Sequence, residues 1–454
     1  LSTGSGVAGI AIIRISGYDA HKILSHFGVP DMLVVDKPVA QYRRLIAENG
    51  RIIDEVMLVL FPSNASPTGE NITEIQCHGS PAVVQVLLSA LAGISGLRLA
   101  QPGEFSRRAF NNGKMGLIDL EGLADLIDAQ TTLQHQQAMN VMTGKLSAQF
   151  LDYREELVSI SSSLETIIDF SDEDLPENVL DGYVVKIKEL KKNIYSLVEG
   201  SQLSEQIRDG VKIALIGPVN AGKSTILNAL AKREVAIVSE TEGTTRDVIE
   251  VRLDLGGIPI ILTDTAGIRD AEDFVEIEGI KRSKKVAAES DLTILVLDVS
   301  NTDWVEILGE FEKLGSDMKL VVLNKADLMS DNALQQKISH VNSTILEQAE
   351  LLIASFQNGN KQNSADILVK KLAEMLSYIT TSSNDLRLTR SWHKSACLSV
   401  SNALERVMTL DIQQQPELVA EELRHACVAL GRLTGTVDVD DLLDNIFFNF
   451  CIGK

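Results

Sequence analysis

The sequence predicts a multidomain protein of mixed class, with an α+β domain at its N-terminus and a doubly wound α/β domain inserted into an α-helical bundle domain. Three observations predict it. At 454 residues the chain exceeds what one hydrophobic core organises. Apolar runs punctuated by Gly, Pro and Asn fill residues 7–112, as short strands and turns do. Between two helically patterned segments lie three short apolar runs, each closed by a motif led by Gly, Asp or Asn.

In chain order, residues 7–15 and 56–61 are the strand candidates of the first domain, placed at 1–115. From 117 to 170 there is no proline. There Leu146, Phe150, Tyr153, Leu157, Ile160, Leu164 and Ile167 recur at steps of four and three, which sets them on one helix face. A long bundle helix is expected, in preference to a coiled-coil seam. The acidic run 169–177 reads as a solvated turn. Ile187, Leu190, Ile194 and Leu197 mark a further helix, which Gly200 ends. Helical patterning returns at 392–408, 416–433 and 438–450. The helical domain is therefore placed at 116–208 and 379–454, and the insertion at 209–378.

Sixty-three acidic against forty-two basic side chains give a net charge of −21, which repels polyanions at long range. Any nucleic-acid contact is then local or shared with a partner, and Arg43-Arg44 and Arg107-Arg108 read as solvated surface. No stretch reaches the ~18 uncharged apolar residues of a membrane span, so a soluble protein is expected, and its scattered cysteines fit a reducing cytoplasm. Cys77, Cys397, Cys427 and Cys451 lack C-x-x-C spacing, which argues against a zinc site or a disulfide framework. Leu1 stands where an initiator Met is expected, and Ser2-Thr3-Gly4-Ser5-Gly6 follows, so a few native residues are expected to be missing; no secretory signal is visible.

The first apolar run of the insertion, 211–216, precedes Gly217-Pro218-Val219-Asn220-Ala221-Gly222-Lys223-Ser224 and then Thr225 in a helical stretch. This is a complete P-loop. Its backbone N–H groups cradle phosphate oxygens, Lys223 neutralises β and γ charge, and the Ser224 hydroxyl ligates Mg²⁺. Asp264-Thr265-Ala266-Gly267 closes the second run, 258–263, where the metal-side switch element belongs. Asn324-Lys325-Ala326-Asp327 closes the third, 320–323. The Asp327 carboxylate suits the guanine N1–H and 2-amino donors, a pair that adenine lacks. Three ordered motifs at strand ends identify a Ras-like G domain that binds and hydrolyses GTP. Gly243-Thr244-Thr245-Arg246-Asp247 occupies the switch I position, with Thr245 as a second Mg²⁺ hydroxyl. Ile268 fills the position at which Ras-type sites carry a water-orienting Gln, so the polar group must come from elsewhere; Glu276 and Glu278 lie downstream.

Beyond these motifs the chain carries Arg14-Ile15-Ser16-Gly17, Thr68-Gly69-Glu70, His78-Gly79, Pro102-Gly103-Glu104-Phe105-Ser106, Ala124-Asp125-Leu126-Ile127-Asp128-Ala129 and a terminal Cys451-Ile452-Gly453-Lys454. With these it resembles the MnmE (TrmE) family of tRNA-modifying GTPases along essentially its whole length. The resemblance implies an N-terminal folate-binding and dimerisation domain, and G domains that pair across a homodimer. It implies Glu276 as the catalytic glutamate beside Lys223. It implies K⁺ bound by Asn220, Ser239, Thr241 and Thr244, within a GTP-binding loop that also includes Glu240 and Glu242. A cation there stabilises phosphate charge as an arginine finger would.

The resemblance further implies that Arg14, Glu74, Lys114 and Lys454 contact a tetrahydrofolate derivative, the 5-formyl or methylene form. It implies a flavoprotein partner, MnmG (GidA), in a heterotetramer or larger complex. FAD resides in that partner only, and the complex also carries most of the tRNA affinity. The reaction implied is addition of an aminomethyl or carboxymethylaminomethyl group at C5 of the wobble uridine. One departure is visible: where the family's fifth guanine-side motif reads Ser-Ala, this chain reads Ser355-Phe356-Gln357-Asn358-Gly359, which predicts modest nucleotide affinity. Cys451 is read as structural or ligand-proximal rather than nucleophilic. The rival expectations are a ribosome-assembly or signalling switch GTPase with no modification activity, and a folate-dependent transferase with a regulatory G domain.

Overall fold

The computed structural model describes residues 1–30, 36–169, 182–233, 249–264, 285–301, 304–316, 318–344, 349–356, 361–381, 388–412, 414–437 and 443. They form two compact units, one of Leu1–Ala124, Asn140–Tyr195 and Ser395–Lys454, the other of Asp125–Met139 and Ser196–Lys394.

The first unit opens with strands β1 (Ile10–Ser16), β2 (Val39–Ile46), β3 (Ile52–Phe61) and β4 (Ile72–His78), paired antiparallel in the order β1-β4-β3-β2. Alternation buries Ile13 and Ile15 of β1, Val56, Leu58 and Leu60 of β3, and Ile75 and Cys77 of β4 on one face. Leu87 and Leu91 of α1 (Pro81–Ala92) close over that face. Helices α2 (Glu104–Asn111), α3 (Leu117–Asp128), α4 (Thr132–Met142), α5 (Lys145–Asp169), α6 (Tyr183–Glu199) and α7 (Ser201–Asp209) follow along the chain. The predicted seam of α5 is buried from Leu146 to Leu164, and that of α6 is buried at Ile187, Leu190, Ile194 and Leu197. The side chain of Ile167 lies outside the described residues.

The proline-free stretch is broken twice. A capping box starts α4, in which Gln134 N donates to Thr131 Oγ1 (3.3 Å) and Thr131 N donates to Gln134 Oε1 (3.2 Å). Gly144, at φ 76°, sets the turn before α5.

In the second unit β5 (Val211–Ile216), β6 (Ile249–Leu255), β7 (Ile258–Asp264), β8 (Leu292–Asp298), β9 (Met318–Asn324) and β10 (Ala349–Ile353) form a six-stranded sheet in the order β10-β9-β8-β5-β7-β6. All pairs are parallel except β6 with β7. One face packs on α7, on α8 (Lys223–Ala231), and on a later helix that includes Leu368 and Leu372. The other packs on α9 (Val305–Glu312) and α10 (Asp331–Thr344). Both faces are covered, so β8 and β9 are buried almost end to end and carry the apolar runs 294–297 and 320–323 instead of alternating. This is the doubly wound, Ras-like architecture expected. Helices α11 (Lys361–Met375), α12 (Ser377–Thr381), α13 (Ser391–Thr409) and α14 (Pro416–Thr434) complete the chain order, and α14 packs along α5 within the first unit. The segment 438–450, apart from residue 443, lies outside the described residues.

Among the described residues no helix is long and apolar enough to cross a membrane, and no group of three or more His, Cys, Asp or Glu gathers as a metal centre. Burial pushes the Cys397 thiol up to about 12, which leaves it an inert packing residue.

Candidate functional site

The P-loop joins β5 to α8, and two glycines fix its course. Gly217 (φ 139°) lies so close to β8 that a Cβ would fall 2.2 Å from the Val296 carbonyl oxygen. Gly222 (φ 104°) would place one 2.1 Å from Asn324 Nδ2. Both conformations and both approaches exclude a side chain. Among the described residues, the non-glycine positions with positive φ are Asn220 (63°) and Lys325 (62°), and both belong to this site. Strain of this kind concentrates where the surrounding structure must hold a functional geometry.

Lys223, at the start of α8, is 5 % exposed and turns its ammonium into the loop, donating to Gly217 O (2.7 Å) and Pro218 O (2.8 Å). Burial lowers its pKa, and the nearby Asp264 charge opposes that shift. Ser224 Oγ donates to Asp264 Oδ2 (2.8 Å) at the end of β7, which brings the two predicted metal-side residues together. Parallel register explains the meeting, because Asp264 pairs with Leu215 on β5, just before the loop.

On the base side Asn324 is an anchor. Its Nδ2 donates to Ala221 O (2.8 Å), and its Oδ1 accepts from Lys325 N (2.8 Å) and Phe356 N (3.2 Å). Lys325 Nζ pairs with Asp298 Oδ2 (2.6 Å) at the end of β8. Asp327 accepts a short hydrogen bond from the Ser355 hydroxyl. The serine of the degenerate fifth motif thus reaches the predicted base-reading carboxylate, while Phe356 is buried in the core. Thr225 lies in the first turn of α8. Ser239, Glu240, Thr241, Glu242, Gly243, Thr244, Thr245, Thr265, Ala266, Gly267 and Glu276 lie outside the described residues.

A second cluster sits in the first unit. Arg14 and Glu74 are register partners on β1 and β4, and Arg14 Nε and Nη2 both donate to Glu74 Oε1 at 2.8 Å. The guanidinium carbon lies 5.7 Å from the centre of the Phe105 ring. Lys114 Nζ donates to Asn64 O at 3.4 Å, and Lys454 lies outside the described residues.

Sequence reasoning missed what binds this region together. Arg108 bridges Glu70 (2.6 Å), Glu104 (2.7 Å) and Ser16 O (3.2 Å), and Ser16 Oγ meets Thr68 Oγ1 (2.9 Å) and Glu70 Oε2 (3.0 Å). Three motifs noted separately in the sequence therefore form one network, and their shared polar character was the available signal. Glu104 also accepts two bonds from Arg98 and one from Gln101 N, and the Arg98 bonds first, against partial burial, hold its carboxyl at about 2.

A pH prediction follows from that carboxyl. A carboxylate depressed from 4.5 to about 2 contributes stability that is present above pH 4.5 and is lost as pH falls through 2. Glu104→Gln is expected to cost about 1–2 kcal/mol near neutrality, discounted because Arg98 is largely solvated. The gap between the two proteins should narrow as pH falls from 4.5, as read by denaturant unfolding.

Comparison with known proteins gives family matches over nearly the whole chain. The family model "GTP-binding protein TrmE N-terminus" matches residues 1–114, and "MnmE helical domain" matches 117–451. The tRNA modification GTPase MnmE of Pelagibacter ubique is 39 % identical over 455 residues, covering 100 % of this chain and 99 % of the relative. That of Cereibacter sphaeroides is 41 % identical over 456 residues, with the same coverage. Among solved structures, Era in complex with MgGDPNP and a segment of 16S ribosomal RNA is 27 % identical, covers 36 % of this chain and 56 % of that chain, and has a TM-score of 0.29.

Proposed function

The chain belongs to the MnmE (TrmE) family and is a GTPase, and from this premise we propose that it hydrolyses GTP to drive modification of the tRNA wobble uridine at C5, together with a flavin-containing partner. The observation that carries the GTP half is the convergence of Lys223, the Ser224–Asp264 pair and the Asn324 anchor at the ends of β5, β7 and β9.

The chain's own residues divide the work. P-loop backbone around Ala221 and Gly222 cradles the phosphates, Lys223 faces the β and γ charge, and Asp327 reads the base. The hydroxyl of Ser224 and the carboxylate of Asp264, 2.8 Å apart, are hard oxygen donors that suit Mg²⁺, with Thr245 as a further ligand. Bound Mg²⁺ supplies charge neutralisation on the phosphates. Asn220, which holds a left-handed backbone in the loop, would hold K⁺ with Ser239, Thr241 and Thr244, and Glu276 would orient the attacking water in place of the missing Gln.

In the first unit the Arg14–Glu74 pair against Phe105 offers a cation, a carboxylate and a ring face, a donor set that fits a tetrahydrofolate derivative. Lys114 and Lys454 would complete it. The reading carries a homodimer, a domain division at 1–115, 116–208 with 379–454, and 209–378, and a cytoplasmic setting.

GTP turnover measured in K⁺ and in Na⁺ buffers, with Glu276→Ala alongside, tests the mechanism. Turnover is expected to require K⁺ and to fall by about 10²-fold or more in the variant. Cation-independent turnover that survives the substitution sends the reading back to a switch GTPase, and absence of 5-formyl-tetrahydrofolate binding does the same for the second site.

A further inference from the structure

The fifth guanine-side segment departs from the family's pattern, yet its serine is held on every side. Ser355 is buried, and its backbone is gripped by one hydroxyl: Ser355 N donates to Ser364 Oγ (3.0 Å), and Ser364 Oγ donates to Ser355 O (2.6 Å). Ser364 is itself 6 % exposed in the first turn of α11, so a single buried hydroxyl spends both its donor and an acceptor lone pair on one residue. From there Ser355 Oγ donates to Asp327 Oδ1, and the next N–H, of Phe356, is fixed on Asn324 Oδ1 (3.2 Å).

The chain of contacts runs from α11 through Ser364 and Ser355 to the Asp327 carboxylate. Orientation is what that carboxylate needs: reading guanine takes two near-parallel bonds, and a carboxylate free to rotate meets one of them poorly. We propose that Ser364 is a specificity-determining positioning residue, which fixes Ser355 so that Asp327 presents its acceptor edge to the N1–H and 2-amino group of guanine. The inference rests on the reading of Asp327 as the base-recognition carboxylate. It assigns to a helix residue outside every guanine motif the task that the degenerate segment cannot perform alone. Without the Ser364 hydroxyl, Ser355 N–H and C=O are buried without that partner and the loop relaxes to find others.

The test compares kcat/KM for GTP and for ITP, which lacks only the 2-amino group, in the full-length protein and in Ser364→Ala, Ser364→Thr and Asp327→Ala, with melting temperatures for each. The GTP-to-ITP ratio is expected to fall about tenfold in Ser364→Ala, through KM and not kcat, and to be retained in Ser364→Thr. A general loosening of the unit would lower both nucleotides alike and leave the ratio unmoved. A ratio within about twofold of wild type in Ser364→Ala, beside a collapse in Asp327→Ala, overturns the proposal and spares the reading of Asp327. A ratio unmoved by Asp327→Ala removes that reading and the proposal with it. Equal loss of the ratio in the alanine and threonine variants assigns the effect to packing and overturns the hydroxyl's role.

Discussion

Replacing Lys223 by alanine is expected to lower kcat/KM for GTP by about 10²–10³-fold while the protein stays folded. The side chain is 5 % exposed, and its ammonium is already aimed at the loop by the carbonyls of Gly217 and Pro218. A positive charge held in a water-poor site acts on phosphate oxygens far more strongly than one in solvent, and it needs no reorganisation as charge develops. Alanine keeps the helix start, so the loss falls on chemistry and binding, and the freed carbonyls lie in a loop that water reaches. Lys223→Arg is expected to restore little, because a planar fork cannot occupy the place of a compact ammonium held by the carbonyls of Gly217 and Pro218. Steady-state kinetics beside calorimetric melting separates the two effects; a melting temperature that falls in step with activity would mean the lysine acts as a fold element.

The second large effect is a change of preferred base. Asp327→Asn is expected to weaken GTP by about 10²–10⁴-fold, since two hydrogen bonds to a charged group are worth about 1.5–3 kcal/mol each and one becomes a donor facing a donor. Xanthine carries a carbonyl where guanine carries the 2-amino group and keeps its N1–H. An amide, with one acceptor and one donor, matches it. Turnover of XTP should therefore rise above that of GTP in the variant, as competition between the two nucleotides would show. The exchange is compatible with the surroundings, because the amide oxygen still accepts from Ser355. Equal loss of both nucleotides would place the carboxylate in the loop's support and not at the base.

Much of this site was legible because local rules determine it. Each motif follows a short apolar run, and those runs became β5, β7 and β9, with the motif residues at the strand ends. The seam from Leu146 to Leu164 was legible for the same reason, since helical spacing is a property of neighbours. What could not be read depends on separation in the chain. Ser364 acts nine residues after Ser355, and Arg108 reaches Ser16, ninety-two residues away. No periodicity encodes such meetings. The break before α4 is a different case: Thr131 and Gln134 have capping-box spacing, a local signal that the sequence carries even without a proline. The letters of the degenerate fifth motif do not reveal that Ser355 keeps its contact with Asp327 through support from α11.

The start of α4 also bears on how this protein is cut for study. Leu133 and Leu203 pack against the core that β5 and β7 share. The side chains of Gln134 and Gln137 donate to the carbonyls of Arg208 and Ser204, and a Cβ at Gly257, in the turn between β6 and β7, would fall 2.7 Å from Thr132 Oγ1. An excised fragment running from 209 to 378 keeps Gly257 but sheds Thr132, Leu133, Gln134 and Gln137 of α4 and Leu203, Ser204 and Arg208 of α7. It uncovers apolar surface beside Ile260 and Leu262, and such surface favours self-association. A truncation designed for crystallography or nucleotide titration keeps its solubility by retaining α7 and by supplying residues 125–139, whether fused through a linker or added as a separate peptide.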